Sequence, residues 1–415
     1  RVVRLKRRIL LRLVRAFLRT MNSWNKHSIF CASAMHHFVL GIFLFLGMGL
    51  LSNAHAQTVS NQLEFGISSG RVIRHNAKFK PVVNGPSFLY QLSWIRHRND
   101  SLAWRKAANF PRVGLTLILA DCAPNDVFGY GIGVSPFIDF TLRQRPKSRL
   151  DLRLGTGLAY FTEAYDPVSN PENNVIGSRL NTIVHLGIHH QWMLNSRLSL
   201  GQGIDLIHFS NARSTSPNLG INTVAAKFSM RYNLAKQPKQ DTLTTCHRSR
   251  YAHEGFRPHS LSLRYGIGLT DRYIGGPVRP IHSSILQYMY STGPLHSIGF
   301  GVKHSWDMGE LEALNFLNQG DARIKLGSAS NASAFIADAW RFGSVGLELA
   351  VGAYLYDRSM TYDRLWFKIG IQGFLGGRKR LIQGIAGCHM KSHYAVAEYV
   401  ELQSGIQFNY GKTRR

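Results

Sequence analysis

The chain has 415 residues, 44% of them hydrophobic and 11% aromatic, with 39 glycines and a formal charge of +27 at neutral pH. That length holds two or three ordinary domains or one large all-β body, and the basic excess favours an anionic partner, either nucleic acid or an anionic membrane surface. Four cysteines exclude a disulfide framework and a zinc site: Cys31 precedes the apolar part of a leader, and Cys122, Cys246 and Cys388 are far apart and odd in number.

Nine of the 50 Lys and Arg lie in residues 1–56, which contain no acid, so 41 basic against 23 acidic residues leave an excess of +18 in the remainder. Residues 1–20 are basic and precede Met21, and they read as an upstream extension of the reading frame. Residues 21–56 read as a secretory signal peptide: Lys26 and three His, an apolar run from Phe38 to Leu51, then the small-x-small pattern Ala54-His55-Ala56 with cleavage expected near Ala56. That run is too short to cross roughly 30 Å of hydrocarbon as a helix, and no later run reaches the length of a spanning helix.

From residue 61 the chain falls into segments of about ten residues that alternate apolar with small or polar side chains, the two-residue period of strands. Eight strands are expected at 61–72, 86–97, 112–121, 128–142, 149–161, 180–193, 197–210 and 220–234. Short connections (143–148, 194–196) mostly alternate with long ones (73–85, 162–179, 211–219), the pattern of a transmembrane β-barrel. In the strand from Arg197, Leu198, Leu200, Ile204 and Leu206 share one face and Ser199, Gly201, Gly203 and Asp205 the other; the first suits lipid, the second a barrel interior. Gly129, Gly131 and Gly133 alternate inside an expected strand with no helix to receive a phosphate, so they make no nucleotide site.

Residues 235–257 are polar, basic and without period, and read as a linker or long turn. Eight further strands are expected at 258–270, 281–291, 294–305, 330–341, 344–356, 363–374, 380–391 and 398–410, with a helical insertion around residues 310–317. Leu63-Glu64-Phe65-Gly66-Ile67 resembles Leu263-Arg264-Tyr265-Gly266-Ile267, each opening its half, a hint of duplication. The expected fold is therefore all-β: an antiparallel transmembrane β-barrel architecture of about sixteen strands in two halves (57–234 and 258–415), forming one large barrel or two small ones.

The chemistry lies between His208 and Asn222. His208 and Ser210 are two apart on a strand and so project from one face, the apolar one; Asn222 lines up on the next strand with Val224, Ala226, Phe228 and Met230. A nucleophilic hydroxyl needs a base within reach and a third group that fixes the base's tautomer, and Ser210, His208 and Asn222 can supply these parts; polar residues tolerated near a strand end are the plainer alternative. Asn211 or the backbone N–H of Ala212 are the natural oxyanion donors, with a turn-forming Asn211 as the alternative. Arg213 can meet a substrate phosphate or remain a solvated loop charge. Asp205 points inward on this register and stays outside the triad. His189 and His190 project to opposite faces with no ligand partners in view, and no metal or cofactor is expected. His393 is followed two residues on by Ala395, so the second half lacks the dyad.

The block His208-Phe209-Ser210-Asn211-Ala212, followed by Ser216-Pro217-Asn218-Leu219-Gly220-Ile221-Asn222, resembles the lipid A 3-O-deacylase family, outer-membrane barrels that remove an ester-linked acyl chain from lipopolysaccharide. The resemblance covers about residues 60–234, including the loop Tyr165-Asp166-Pro167 and Asn170 to Ser178, similar to acyloxyacyl hydrolases. It implies Ser210 as nucleophile and His208 as base, with Asn222 where that family carries glutamate. The Ser-His-Asn set is itself similar to outer-membrane phospholipase A. What the resemblance implies is a serine esterase of a Gram-negative outer membrane, acting on lipid A or a related glycolipid. The alternatives are a phospholipase and a non-catalytic barrel or pore. Scattered basic residues form no nucleic-acid module, and nucleic acid is set aside as a partner.

Overall fold

The structure, a computed structural model, describes residues 59–98, 103–234, 256–271, 274–318, 325–357, 364–393 and 396–413. The upstream extension, the signal peptide and most of the linker at 235–257 lie outside the described residues.

Alternation dictates the elements. Strands β1 (Val59–Val72), β2 (Ser87–Arg98), β3 (Arg112–Asp121), β4 (Tyr130–Arg145), β5 (Ser148–Phe161), β6 (Leu180–Met193), β7 (Leu198–Ser210) and β8 (Ile221–Asn233) pair antiparallel in sequence order. β8 returns to β1, Thr223 opposite Val72 and Asn233 opposite Gln62, which closes the sheet. Strands β9 (His259–Thr270), β10 (Arg279–Ser291), β11 (His296–Asp307), β12 (Ser330–Phe342), β13 (Val345–Asp357), β14 (Leu365–Leu375), β15 (Ile382–His393) and β16 (Val396–Tyr410) do the same, with β16 pairing to β9. The two halves are thus two closed eight-strand barrels. With 10 to 16 residues, every strand falls within or above the 9–11 residues that a tilted strand needs to cross a bilayer. Among the described residues no helix is long and apolar enough to do so.

One expected boundary moves. Residues 128 and 129 do not open β4: Asn125–Phe128 form the short helix α2, following α1 (Ala103–Ala107), and Gly129 ends α2 at φ +62. A Cβ there would lie 2.1 Å from Thr162 Oγ1, so the turn depends on glycine and leaves only Gly131 and Gly133 in the strand. The helical insertion is α3 (Met308–Leu317), its N-cap Asp307 accepting from Glu310 N–H.

The two faces of each strand have opposite chemistry. Outward side chains such as Leu63, Phe65, Leu117, Ile204, Phe228, Leu263, Phe300 and Ile336 are exposed, the apolar belt that a spanning barrel turns to lipid. Inward, the first barrel is packed with charge. Glu64 accepts from Lys227 Nζ at 3.1 Å, Arg231 at 2.6 Å and Arg153 at 3.2 Å, and Arg153 also holds Asp139 through two bonds of 2.8 and 2.9 Å. All these groups are buried, so each charge has exchanged water for a partner of opposite sign. Nearer the loops that carry the site the same lumen is apolar, filled by Phe79, Phe128, Phe161, Ile183, Ile207 and Phe209 among others. The second barrel is built alike, with Lys303 bonded to Glu401 at 2.8 Å and Lys368 to Glu348 at 2.8 Å. Glu64 and Arg264, at matching places in the two opening strands, are both buried.

Candidate active site

Register places the first pair. His208 on β7 stands directly opposite Asn222 on β8, both on the outward face, and His208 Nδ1 lies 2.7 Å from Asn222 Oδ1. Ser210 follows on the same face at the last position of β7, 4% exposed. Among the described residues no hydrogen bond joins His208 Nε2 to Ser210 Oγ; such contacts commonly tighten only with substrate bound. The Ser210 hydroxyl instead accepts two: from Ala212 N–H at 3.0 Å and from Asn218 Nδ2 at 2.8 Å. Two donors already converge on the oxygen that would attack, which suits later stabilisation of negative charge beside it.

The loop 211–220 between β7 and β8 earns this geometry from its own backbone. Ala212 and Arg213 both adopt positive φ, 53 and 62, a costly conformation for residues with a Cβ, and it aims the Ala212 N–H back at Ser210. Gly220 also has positive φ, 77, and a Cβ there would stand 2.6 Å from His208 Cε1; glycine serves both the turn and the ring. Of the two readings of Asn211, oxyanion donor and turn former, its hydrogen bonds are those of the second. Its Nδ2 donates to Thr215 O at 2.8 Å and Ser178 Oγ at 3.0 Å, and its Oδ1 accepts from Arg213 N–H at 2.9 Å, so the amide braces the turn. The donors at Ser210 are the Ala212 N–H and Asn218, the latter a residue that sequence reasoning missed. Asn218 stood inside the recognised block, but only the folded loop brings it back over Ser210.

Two neighbouring loops lock this one. From 162–179, Asn174 O and Val175 O accept from Leu219 and Gly220 N–H at 3.4 and 2.9 Å, and Asn174 Nδ2 donates to Lys78 O of the β1–β2 loop at 2.5 Å. Gly177 approaches so closely that a Cβ would lie 2.2 Å from Pro217 O. Asp166 organises the same loop by accepting from Ser169 and Val168 N–H at 2.8 and 2.9 Å, which holds its carboxyl below the usual range. From the β1–β2 loop, His75 Nδ1 lies 2.9 Å from Asn222 Nδ2 and its Nε2 3.0 Å from Leu219 O. Sequence gave no signal for His75, which is 147 residues from Asn222 and meets it only because β8 closes on β1. A third contact comes from Asp271, the residue after β9, whose carboxylate accepts from Ser216 N–H and Oγ at 2.6 Å each. Arg213 is half-buried in the loop, and its guanidinium shows no hydrogen bond or ion pair among the described residues.

Asp205 points into the lumen as its register requires. There it accepts from His185 Nε2 at 2.9 Å and His189 Nε2 at 2.7 Å on one oxygen, and from Ser68 and Gln91, both at 2.9 Å, on the other. His189 therefore has partners that its place in the sequence did not reveal. The ligand atoms of His185, His189 and Asp205 lie within 4.8 Å of one another and are the one such group that could hold a metal among the described residues. Every Asp205 bond is nonetheless met by protein, and Lys227 and Arg153 add positive charge to the same lumen, so the cluster reads as hydrogen-bonded core. In the second barrel His393 Nε2 bonds the buried Glu398 at 3.0 Å.

Residues 90–231 match the family model described as lipid A 3-O-deacylase. No curated protein matches the chain. Among solved structures, two variants of the Rhodopseudomonas blastica porin overlap it at 9% and 8% identity, covering 85% of this chain and 99% of theirs. Their TM-score is 0.17 in both cases, so the fold rests on strand pairing and not on that overlap.

Proposed function

From a first barrel that is related to the lipid A 3-O-deacylase family, we propose that this protein is an outer-membrane serine esterase that removes an ester-linked acyl chain from lipid A or a related glycolipid. The observation that carries the reading is the His208 to Asn222 hydrogen bond, with Ser210 two residues on, on a face that continues into lipid-facing Leu206 and Ile204. With its Nδ1 proton held by Asn222 Oδ1, His208 presents Nε2 to take the Ser210 proton. The Ser210 oxygen then attacks the ester carbonyl. Negative charge gathering on the carbonyl oxygen meets the Ala212 N–H and Asn218 Nδ2. Collapse expels the sugar hydroxyl, which takes the proton from His208, and water releases the fatty acid by the same route in reverse.

The surroundings support the substrate class. An apolar depression on the outward faces of β5 to β7, lined by Leu152, Leu154, Leu186, Ile188, Ile204 and Leu206, lies below Ser210 and suits an acyl chain. Arg213 would meet a phosphate of the headgroup. With β1 entering from the periplasm, β7 ends at the outer leaflet, where lipopolysaccharide resides. The packed, charge-paired lumen of the first barrel counts against a pore there. A phospholipase is the second reading, favoured by the amide at position 222.

Mass spectrometry of lipid A and phospholipids from cells expressing the parent and Ser210→Ala chains tests both. The expected result is a lipid A species short of one acyl chain with the parent alone. Lysophospholipid in its place would select the second reading, and an unchanged lipid profile would leave only a barrel.

A further inference from the structure

An amide differs from a carboxylate in that its two ends are unlike. A carboxylate offers an acceptor whichever way it turns, whereas an asparagine turned by half a rotation presents N–H groups. Turned that way, Asn222 would donate to His208 Nδ1, the proton of His208 would sit on Nε2, and that nitrogen could take nothing from Ser210. An asparagine in this place works only if something fixes its orientation.

The hydrogen bonds around His75 do so by elimination. Leu219 O, 3.0 Å from His75 Nε2, is a carbonyl and can only accept, so Nε2 carries the proton. In a neutral imidazole Nδ1 is then a lone pair, and the group 2.9 Å away, Asn222 Nδ2, is the donor. Asn222 Oδ1 is thereby turned to His208 Nδ1 at 2.7 Å, which puts the His208 proton on Nδ1 and leaves Nε2 bare. The competing tautomer would send His75 Nδ1–H to Ile73 O at the longer distance of 3.3 Å and face two lone pairs at Leu219 O. Phe79, edge-on to the ring at a centroid distance of 6.2 Å and itself buried, helps hold the imidazole in place.

We propose that His75 is a positioning residue: by reading one backbone carbonyl it orients the Asn222 amide and, through it, selects the tautomer of His208. This rests on the esterase reading and explains how an asparagine can serve where the related family carries glutamate.

The test is a cycle in the full chain: parent, His75→Ala, Asn222→Glu and the double variant, each assayed for fatty-acid release from lipopolysaccharide in detergent micelles, with folding followed by heat-dependent gel mobility. In the asparagine background His75→Ala is expected to lower kcat about tenfold with KM unchanged, the population shift that one lost hydrogen bond allows. In the Asn222→Glu background the same change is expected to cost at most the small part owed to the lost Leu219 contact, because a carboxylate has no wrong way round. An equal loss in both backgrounds, or none in the first, overturns the proposal. Parent and Asn222→Glu chains that are both as inactive as Ser210→Ala would instead remove the esterase reading beneath it.

Discussion

Asn218 makes the sharpest demand on the site. Replacing it with alanine removes the 2.8 Å bond from Nδ2 to Ser210 Oγ and strips Asn211 N–H of its 3.2 Å acceptor, Asn218 Oδ1. The second loss is structural and worth about 1 kcal/mol in the loop. The first concerns the reaction: removal of one donor aimed at developing negative charge typically costs about 2.7–4 kcal/mol, roughly a hundred- to a thousandfold in kcat. Asn218→Asp separates the two, since it keeps an acceptor for Asn211 and offers no N–H to the oxyanion. Both variants are expected to release acyl chains from lipopolysaccharide micelles at least a hundredfold more slowly than the parent, with KM little changed and barrel mobility on gels intact. Asn218→Asp turning over at the parental rate would refute the assignment of Asn218 as a donor. So would an alanine variant whose loss is matched by its unfolded fraction.

Gly220→Ala forces a side chain into positive φ, about 1–2 kcal/mol, and against His208 Cε1, 2.6 Å from the new Cβ; turnover should fall more than tenfold while the barrel still resists unfolding in cold detergent. Glu64→Gln leaves Lys227, Arg231 and Arg153 short of a shared buried anion. A loss of about 3–5 kcal/mol is expected, read as a lower thermal transition, with activity per folded molecule preserved. Asp271→Ala frees Ser216 from two 2.6 Å bonds; slower acyl release with both barrels folded is expected, and an unchanged rate would mean that the loop holds itself.

The sixteen strands were legible because a barrel wall enforces a strict two-residue period, and side chains such as Leu206 and Asp205 declare opposite surroundings one step apart. Whether the halves close separately was not, since closure depends on pairings such as Val72 with Thr223, which no local pattern records. His208, Ser210 and Asn222 were visible as polar breaks in two apolar faces, and their register then followed from the hairpin. Asn218 and His75 were not. Both act through loops, one folded back by two left-handed residues and the other brought in by barrel closure, and loop contacts of that span leave no periodic trace. Asn211 was legible only as two alternatives, because an amide beside a strand-end serine is equally suited to donate to substrate and to brace a turn. The lumen partners of His189 were hidden because His185, His189 and Asp205 come together only across paired strands.

The outward placement of Ser210 has a kinetic corollary. With Ser210 as the proposed nucleophile, a site on the outer side of a barrel wall meets its substrate by diffusion within the plane of the leaflet. Its rate would then follow the mole fraction of substrate among surrounding lipids and not the bulk concentration. Diluting lipopolysaccharide with inert detergent at constant total amount should slow such an enzyme, and a crowded, tightly bridged leaflet should restrain it in the cell.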